Sequence, residues 1–176
     1  MTAGDGAHAV VVGILMGSET DLPVMGEAGK TLEKFGIRYE IEVVSAHRTP
    51  ARAHEYATSA AGRGVKVLIV GAGAAAHLAG VIAANTTLPV IGVPLATSAL
   101  NGLDALLATV QMPGGIPVAT MAIDKAGAVN AAIFAAEILG LADPEIGRRL
   151  VAHKEDLVRG VAEKNAKLQD QLKQKK

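Results

Sequence analysis

The chain has 176 residues, with 17 basic and 17 acidic side chains and a formal net charge of zero. That balance offers no basic surface to a nucleic acid, and the absence of cysteine excludes disulfides, thiolate catalysis and cysteine-based metal sites. Residues 1–9 are short and polar, unlike a secretory signal, and no apolar run is long enough to span a bilayer. The expectation is a cytoplasmic protein of one domain with a real core. Half of the residues are hydrophobic, yet only 2% are aromatic, so Ala, Val and Gly supply the bulk. Two readings of this stay open: extra burial against neighbouring subunits, or a plain alanine-rich bias.

The predicted elements alternate along the chain. Residues 9–16 form a continuous apolar run, the pattern of a strand buried on both faces. Residues 21–35 read as a helix closed near Gly36, and 38–44 as a second strand. A helix follows over 50–61, with Thr49 as its cap and Pro50 in its first turn. Next come a strand over 65–70, a helix over 75–84, a strand over 89–93, a short helix over 102–110 and a strand over 117–123. Residues 126–139 form a strongly apolar helix. A last helix starts at Asp143-Pro144 and runs towards Leu172, with apolar residues at Ile146, Leu150, Leu157, Val161 and Leu168.

Five strands alternating with helices predict a parallel sheet covered on both faces. Right-handed crossovers favour a flavodoxin-like three-layer α/β/α sandwich. The expectation is a single domain over 1–176, with an α/β core over 9–140 and a long C-terminal helix over 143–172. That helix follows a completed sheet, and its apolar stripe needs a partner in its own domain or in a second subunit.

In such a sheet the loops after the strands open on one edge, where ligands bind. The most informative of them is Ser45-Ala46-His47-Arg48-Thr49-Pro50. Histidine is suited to moving protons near neutral pH, and arginine to holding phosphate or carboxylate. A lone histidine is more often structural or solvated; its place between a strand end and Arg48 raises the functional reading. The loop Gly17-Ser18-Glu19-Thr20-Asp21 puts hydroxyls and carboxylates beside a helix N-terminus. It suits a phosphate, with Asp21 on ribose hydroxyls, although ordinary capping competes. It lacks the Gly-Lys-Ser/Thr of a phosphate-binding P-loop.

Residues 71–76, Gly-Ala-Gly-Ala-Ala-Ala before His77, let a ligand approach the backbone. They match a loose dinucleotide pattern, but they follow the third strand, and no acidic residue lies about 20 positions on. A tight turn with close helix–sheet packing is the competing reading. Residues 92–101 form a further loop, and the Pro- and Gly-rich segment 111–117 covers a site or only turns the chain. His8, His54 and His153 have no comparable setting and are expected at the surface. No His/Asp/Glu cluster has metal-ligand spacing, so no metal is expected. The candidate is therefore the convergence of Ser18, Asp21, Ser45, His47, Arg48 and His77.

MGSETD, VVSAHRTP, GAGAAAHLAGVIAANTTLPVIGVP, VQMPGGIPVATMAI and KAGAVNAA, in that order, closely resemble the PurE family, the N5-carboxyaminoimidazole ribonucleotide mutases of purine biosynthesis. The resemblance spans residues 10–139 and continues into a family-like helix. It implies a flavodoxin-like fold and a homo-octamer in which the last helix packs on neighbouring subunits. It further implies that Ser18 and Asp21 hold phosphate and ribose, that Ser45 and Arg48 line the same site, and that His47 is the general acid/base. Gly73, Ala74, His77 and Leu78 would enclose the imidazole and its carboxylate, with no cofactor. Thr20 and Ala79 stand where the family often has Ser and Pro; Glu19 is at a variable position. One class of the family moves a carboxylate within its substrate, and the other adds free CO₂ to aminoimidazole ribonucleotide. SAHRTP and AAAHL resemble the first; the second usually has Lys after the first histidine and lacks the second histidine. The competing readings are that direct carboxylase and a non-catalytic nucleotide-binding module.

Overall fold

The computed structural model describes residues 10–174. Five strands, β1 (Val12–Met16), β2 (Tyr39–Val43), β3 (Val67–Gly73), β4 (Val90–Leu95) and β5 (Ala119–Thr120), form one parallel sheet in the order β2-β1-β3-β4-β5. This is the flavodoxin-type order, reversing direction between β1 and β3. The helices are α1 (Leu22–Lys34), α2 (Pro50–Ala60), α3 (Leu78–Ala83), α4 (Leu103–Val110), α5 (Asp124–Gly140) and α6 (Pro144–Gln174). Chain contacts divide the protein into two compact units, Met1–Ala136 and Glu137–Lys176.

In the first unit the central strands are apolar throughout because both faces are covered. Leu15, Leu68, Val70 and Val90 face a core closed by Tyr56 and Ala60 of α2, Ile82 of α3 and Ala105 of α4. On the opposite face, Met25 of α1 packs on Gly71, and Gly127 of α5 lies against Val93. Small residues set this closeness. A Cβ at Gly127 would overlap the Ala122 carbonyl oxygen, and one at Gly13 would overlap the Tyr56 hydroxyl. Gly13 pairs with Glu40 in the sheet register, so the space it leaves lets Tyr56 reach across β1. The Tyr56 hydroxyl donates to Glu40 Oε1 at 2.5 Å, and Arg63 donates to the same oxygen at 2.7 Å.

Several expected boundaries shift, each for a local reason. The fourth strand was expected to end at Val93, before Pro94. β4 instead continues to Leu95, pairing Pro94 with Ala72. β5 pairs only with Ile91 and Gly92, so one flank of β4 is already open at Pro94 and no ladder bond there needs its missing N–H. β3 likewise runs on through Gly73, so Gly71–Gly73 belong to a strand end, not a loop. β5 shrinks to two residues at the sheet edge. Thr49 stands at the N-cap position of α2 without capping it: its hydroxyl donates to the Ser45 carbonyl and accepts the Ser45 N–H, both at 3.0 Å. Residues 19–21 form a tight 3-10 turn ahead of α1.

The second unit contains the end of α5 and the 31-residue α6. Asp143 caps α6, its carboxylate accepting the Glu145 N–H at 2.9 Å. Val151, Leu157, Val158, Val161, Leu168 and Leu172 are exposed along it. No helix among the described residues is long and apolar enough to cross a membrane.

Candidate active site

The carboxyl ends of β1 to β4 deliver their loops to one cavity of about 350 Å³. Its lining includes Ser18, Asp21, Ser45, His47, Arg48, Gly73 and Leu78, together with Gly17, Thr20, Ala46, Ala72, Ala75 and Thr97. The sequence-derived cluster thus meets in space because the parallel topology puts every strand-to-helix turn on the same edge.

The first loop is held by reciprocal bonds. The Ser18 hydroxyl accepts the Thr20 N–H at 3.3 Å, and Asp21 Oδ2 accepts the Ser18 N–H at 3.1 Å. This is a capping box, so capping is real here, and it leaves both side chains at the cavity wall. Asp21 is only 7% exposed. Burial pushes its carboxyl above the ordinary aspartate value, against the opposing pull of the Ser18 and Gly17 backbone N–H groups.

That shift has a sign. A carboxyl raised on folding costs nothing below its unfolded value; the destabilisation builds as pH rises from there to the folded value and stays constant above it. Asp21→Asn is therefore expected to melt above the native protein at pH 7, with the gap closing as the pH falls towards 3.8, the ordinary value. A gap independent of pH in thermal melts would contradict this.

The second loop folds on itself. The Ser45 hydroxyl accepts the Arg48 backbone N–H at 3.1 Å, and Arg48 Nη2 donates to the Gly17 carbonyl at 2.7 Å. Arg48 thereby ties the second loop to the first and places its guanidinium at the cavity wall.

His47 Nε2 and His77 Nδ1 are 2.9 Å apart, with ring centroids at 5.0 Å and planes at 81°. In this contact one ring nitrogen donates and the other accepts, the roles being set by the tautomers. His77 stands at the N-cap position of α3. It meets His47 without itself lining the cavity. Ala74 adopts φ 50°, turning the chain between Gly73 and Ala75 without lining the cavity.

Other histidines lie elsewhere. His54 is exposed and bonded to Asn85 Oδ1 at 2.8 Å, His153 is half-buried in the second unit, and His8 is outside the described residues. Among the described residues no group of three or more His, Asp or Glu is placed to hold a metal ion. Sequence reasoning did not single out Thr97. The signal was present, since it follows a strand end on the same sheet edge, but β4 runs two residues further than Pro94 suggested.

Fold and site together define a parallel α/β scaffold of the enzyme kind, with a polar pocket at the strand ends and a histidine pair beside it. The AIR carboxylase family model matches residues 11–159, and the chain belongs to that family. A Pyrococcus horikoshii protein named N5-carboxyaminoimidazole ribonucleotide mutase is 58% identical over 160 residues, 91% of this chain and 89% of its own length. Proteins of the same name from Thermotoga maritima and Bacillus subtilis are 59% and 53% identical, each over 90% of this chain and over 91% and 98% of their own lengths. The crystal structure of Treponema denticola PurE superposes with a TM-score of 0.81 at 29% identity, covering 90% of this chain and 98% of that one.

Proposed function

We propose that the protein is an isomerase of purine biosynthesis that interconverts N5-carboxyaminoimidazole ribonucleotide and 4-carboxy-5-aminoimidazole ribonucleotide. The observation that carries this reading is the His47–His77 pair at the cavity, in a chain 52–61% identical to proteins named as that mutase.

The substrate's N-carboxylate is a carbamate. Cleaving its C–N bond requires a proton on the departing nitrogen, which His47 as imidazolium supplies, releasing CO₂ and the free amine. C4 of the electron-rich imidazole then attacks CO₂ and forms the new C–C bond. Neutral His47 removes the C4 proton and returns to its starting state. One residue serves both proton transfers, so the cycle balances without a cofactor. The contact with His77 supports this role, because His77 Nδ1 can accept from His47 Nε2 when that nitrogen carries a proton and donate to it when it does not. Small lining groups at Ala72, Gly73 and Ala75 favour retention of CO₂ beside C4.

In this reading Ser18 and Asp21 hold the phosphate and ribose, Ser45 and Arg48 complete the anion site, and Gly73 and Leu78 wall the imidazole carboxylate, with Ala74 shaping the turn after Gly73 and His77 acting through His47. Arg48→Ala is expected to weaken nucleotide binding by about 2 kcal/mol, the scale of a lost charged hydrogen bond at a partly solvated site. Calorimetric titration with the nucleotide checks this, and unchanged affinity removes Arg48 from the site.

The reading extends to a single PurE-like domain over 1–176 that assembles as a cytoplasmic homo-octamer, with α6 packing on neighbouring subunits. The exposed apolar residues of α6 and the aromatic-poor composition support it. The test of function is turnover of N5-carboxyaminoimidazole ribonucleotide by purified protein without ATP or added bicarbonate, followed by ultraviolet absorbance. Product formed only from aminoimidazole ribonucleotide plus bicarbonate would instead make it the direct carboxylase. No product from either would leave a binding role.

A further inference from the structure

The loop after β4 reaches the cavity through Thr97, whose position is set by two contacts. Its hydroxyl lies directly over the Cα of Gly73, where any Cβ would overlap it. Immediately before it, the Ala96 N–H donates to Asp124 Oδ1 at 2.8 Å, across 28 residues of sequence. The loop is otherwise exposed at Ala96, Thr97, Ala99 and Leu100, and its remaining backbone ties are local: Thr97 N–H to the Leu95 carbonyl at 3.0 Å and Asn101 N–H to the Ser98 carbonyl at 3.2 Å. Two bonds reach outside the loop: this one to Asp124, next to Thr97, and one from the Ser98 side chain to Asp104 of α4.

Asp124 also holds an unusual backbone. It opens α5 with φ 58°, a left-handed conformation that a non-glycine residue adopts at a cost. Asp and Asn tolerate this region better than other side chains. From there the carboxylate meets Ala96. At the far end of the loop, Gly102 adopts φ 85° and packs against Ile123, the residue before Asp124, and against Ala96. Both ends of the loop are thus clamped on the turn that carries Asp124.

We propose that Thr97 is a substrate-binding residue whose hydroxyl hydrogen-bonds an oxygen of the bound ribonucleotide, and that Asp124 is the positioning residue that holds it over Gly73. This rests on the functional reading above. It adds a fourth wall to a site otherwise built from the loops after β1, β2 and β3.

The test compares Thr97→Val, Thr97→Ser, Asp124→Ala, Asp124→Asn and the Thr97→Val/Asp124→Ala double variant. KM and kcat are measured in the mutase direction, and aminoimidazole ribonucleotide binding by calorimetry. Thr97→Val keeps the volume and removes the hydroxyl; it should raise KM and the dissociation constant about tenfold, the worth of one good hydrogen bond, with a much smaller change in kcat. Asp124→Ala should do the same. Asp124→Asn retains an acceptor and a side chain at ease in the left-handed region, and Thr97→Ser retains the hydroxyl, so both should recover most of the lost affinity. The double variant should be little worse than either single, because both remove one interaction.

Unchanged KM and binding in Thr97→Val would overturn the proposal, as would full additivity in the double variant. If Asp124→Ala fails to fold, the Thr97 pair and Asp124→Asn still decide. Native protein that neither turns over nor binds the nucleotide would overturn the functional reading and this proposal with it. Native turnover with an indifferent Thr97 would overturn this proposal alone.

Discussion

Replacing His47 by Asn is expected to lower kcat by about 10²–10⁴, the range over which a positioned acid/base group contributes. Ligand affinity should stay close to native. The side chain sits on an exposed loop whose shape is held by Ser45, Arg48 and Thr49, so removing the imidazole leaves that frame in place. Asn ends near the position of the imidazole Nδ1 and so also gives up the Nε2 contact with His77. What it lacks is a site that both gives and takes a proton near neutral pH, and both bond changes of the reaction need one. Steady-state kinetics paired with calorimetric nucleotide binding separates the two effects. Turnover within tenfold of native would require another acid/base group.

Tyr56→Ala is expected to cost about 3–5 kcal/mol of stability, the range for deleting a buried aromatic side chain. A typical domain has only about 5–15 kcal/mol in hand. Tyr56 is fully buried, with the Arg63 guanidinium over its ring at 4.6 Å. Burial, reinforced by Glu40, pushes the phenol far above the usual tyrosine range, so it is a permanent donor. Burial alone would raise the Glu40 carboxyl; the hydrogen bonds from Tyr56 and Arg63 outweigh it and leave Glu40 below its ordinary value. A depressed carboxyl stabilises above its unfolded value, and that contribution is lost as the pH falls through the folded value. Tyr56→Phe isolates this part, costing about 1–3 kcal/mol through the partner it abandons. Denaturant titrations of both variants check the expectation; a loss in Tyr56→Ala no larger than in Tyr56→Phe would show that the ring packing contributes little.

Fold class and most of the site were legible because both follow from pattern. Apolar runs such as Val12–Met16 mark strands buried on both faces, and alternation with helices fixes a parallel sheet whose loops share an edge. Ser18, Asp21, Ser45, His47 and Arg48 could be gathered from that rule alone. What sequence hid was set by tertiary partners. Pro94 argues against a strand in isolation, and becomes harmless only because β5 is so short. Thr49 reads as a helix cap until Ser45 offers it both a donor and an acceptor. Asp124 lies between the strand expected over 117–123 and the helix expected over 126–139, and nothing local marks it; its partner Ala96 is far away in sequence and adjacent only in the fold.

Among the described residues, every one that lines the cavity falls between Gly17 and Thr97. The portion of the gene that encodes this wall lies wholly within the first unit, upstream of the portion that encodes α6. Substitutions can accumulate in one without altering the reacting groups of the other. Activity lost on shortening α6 would accordingly not report on the composition of the cavity wall.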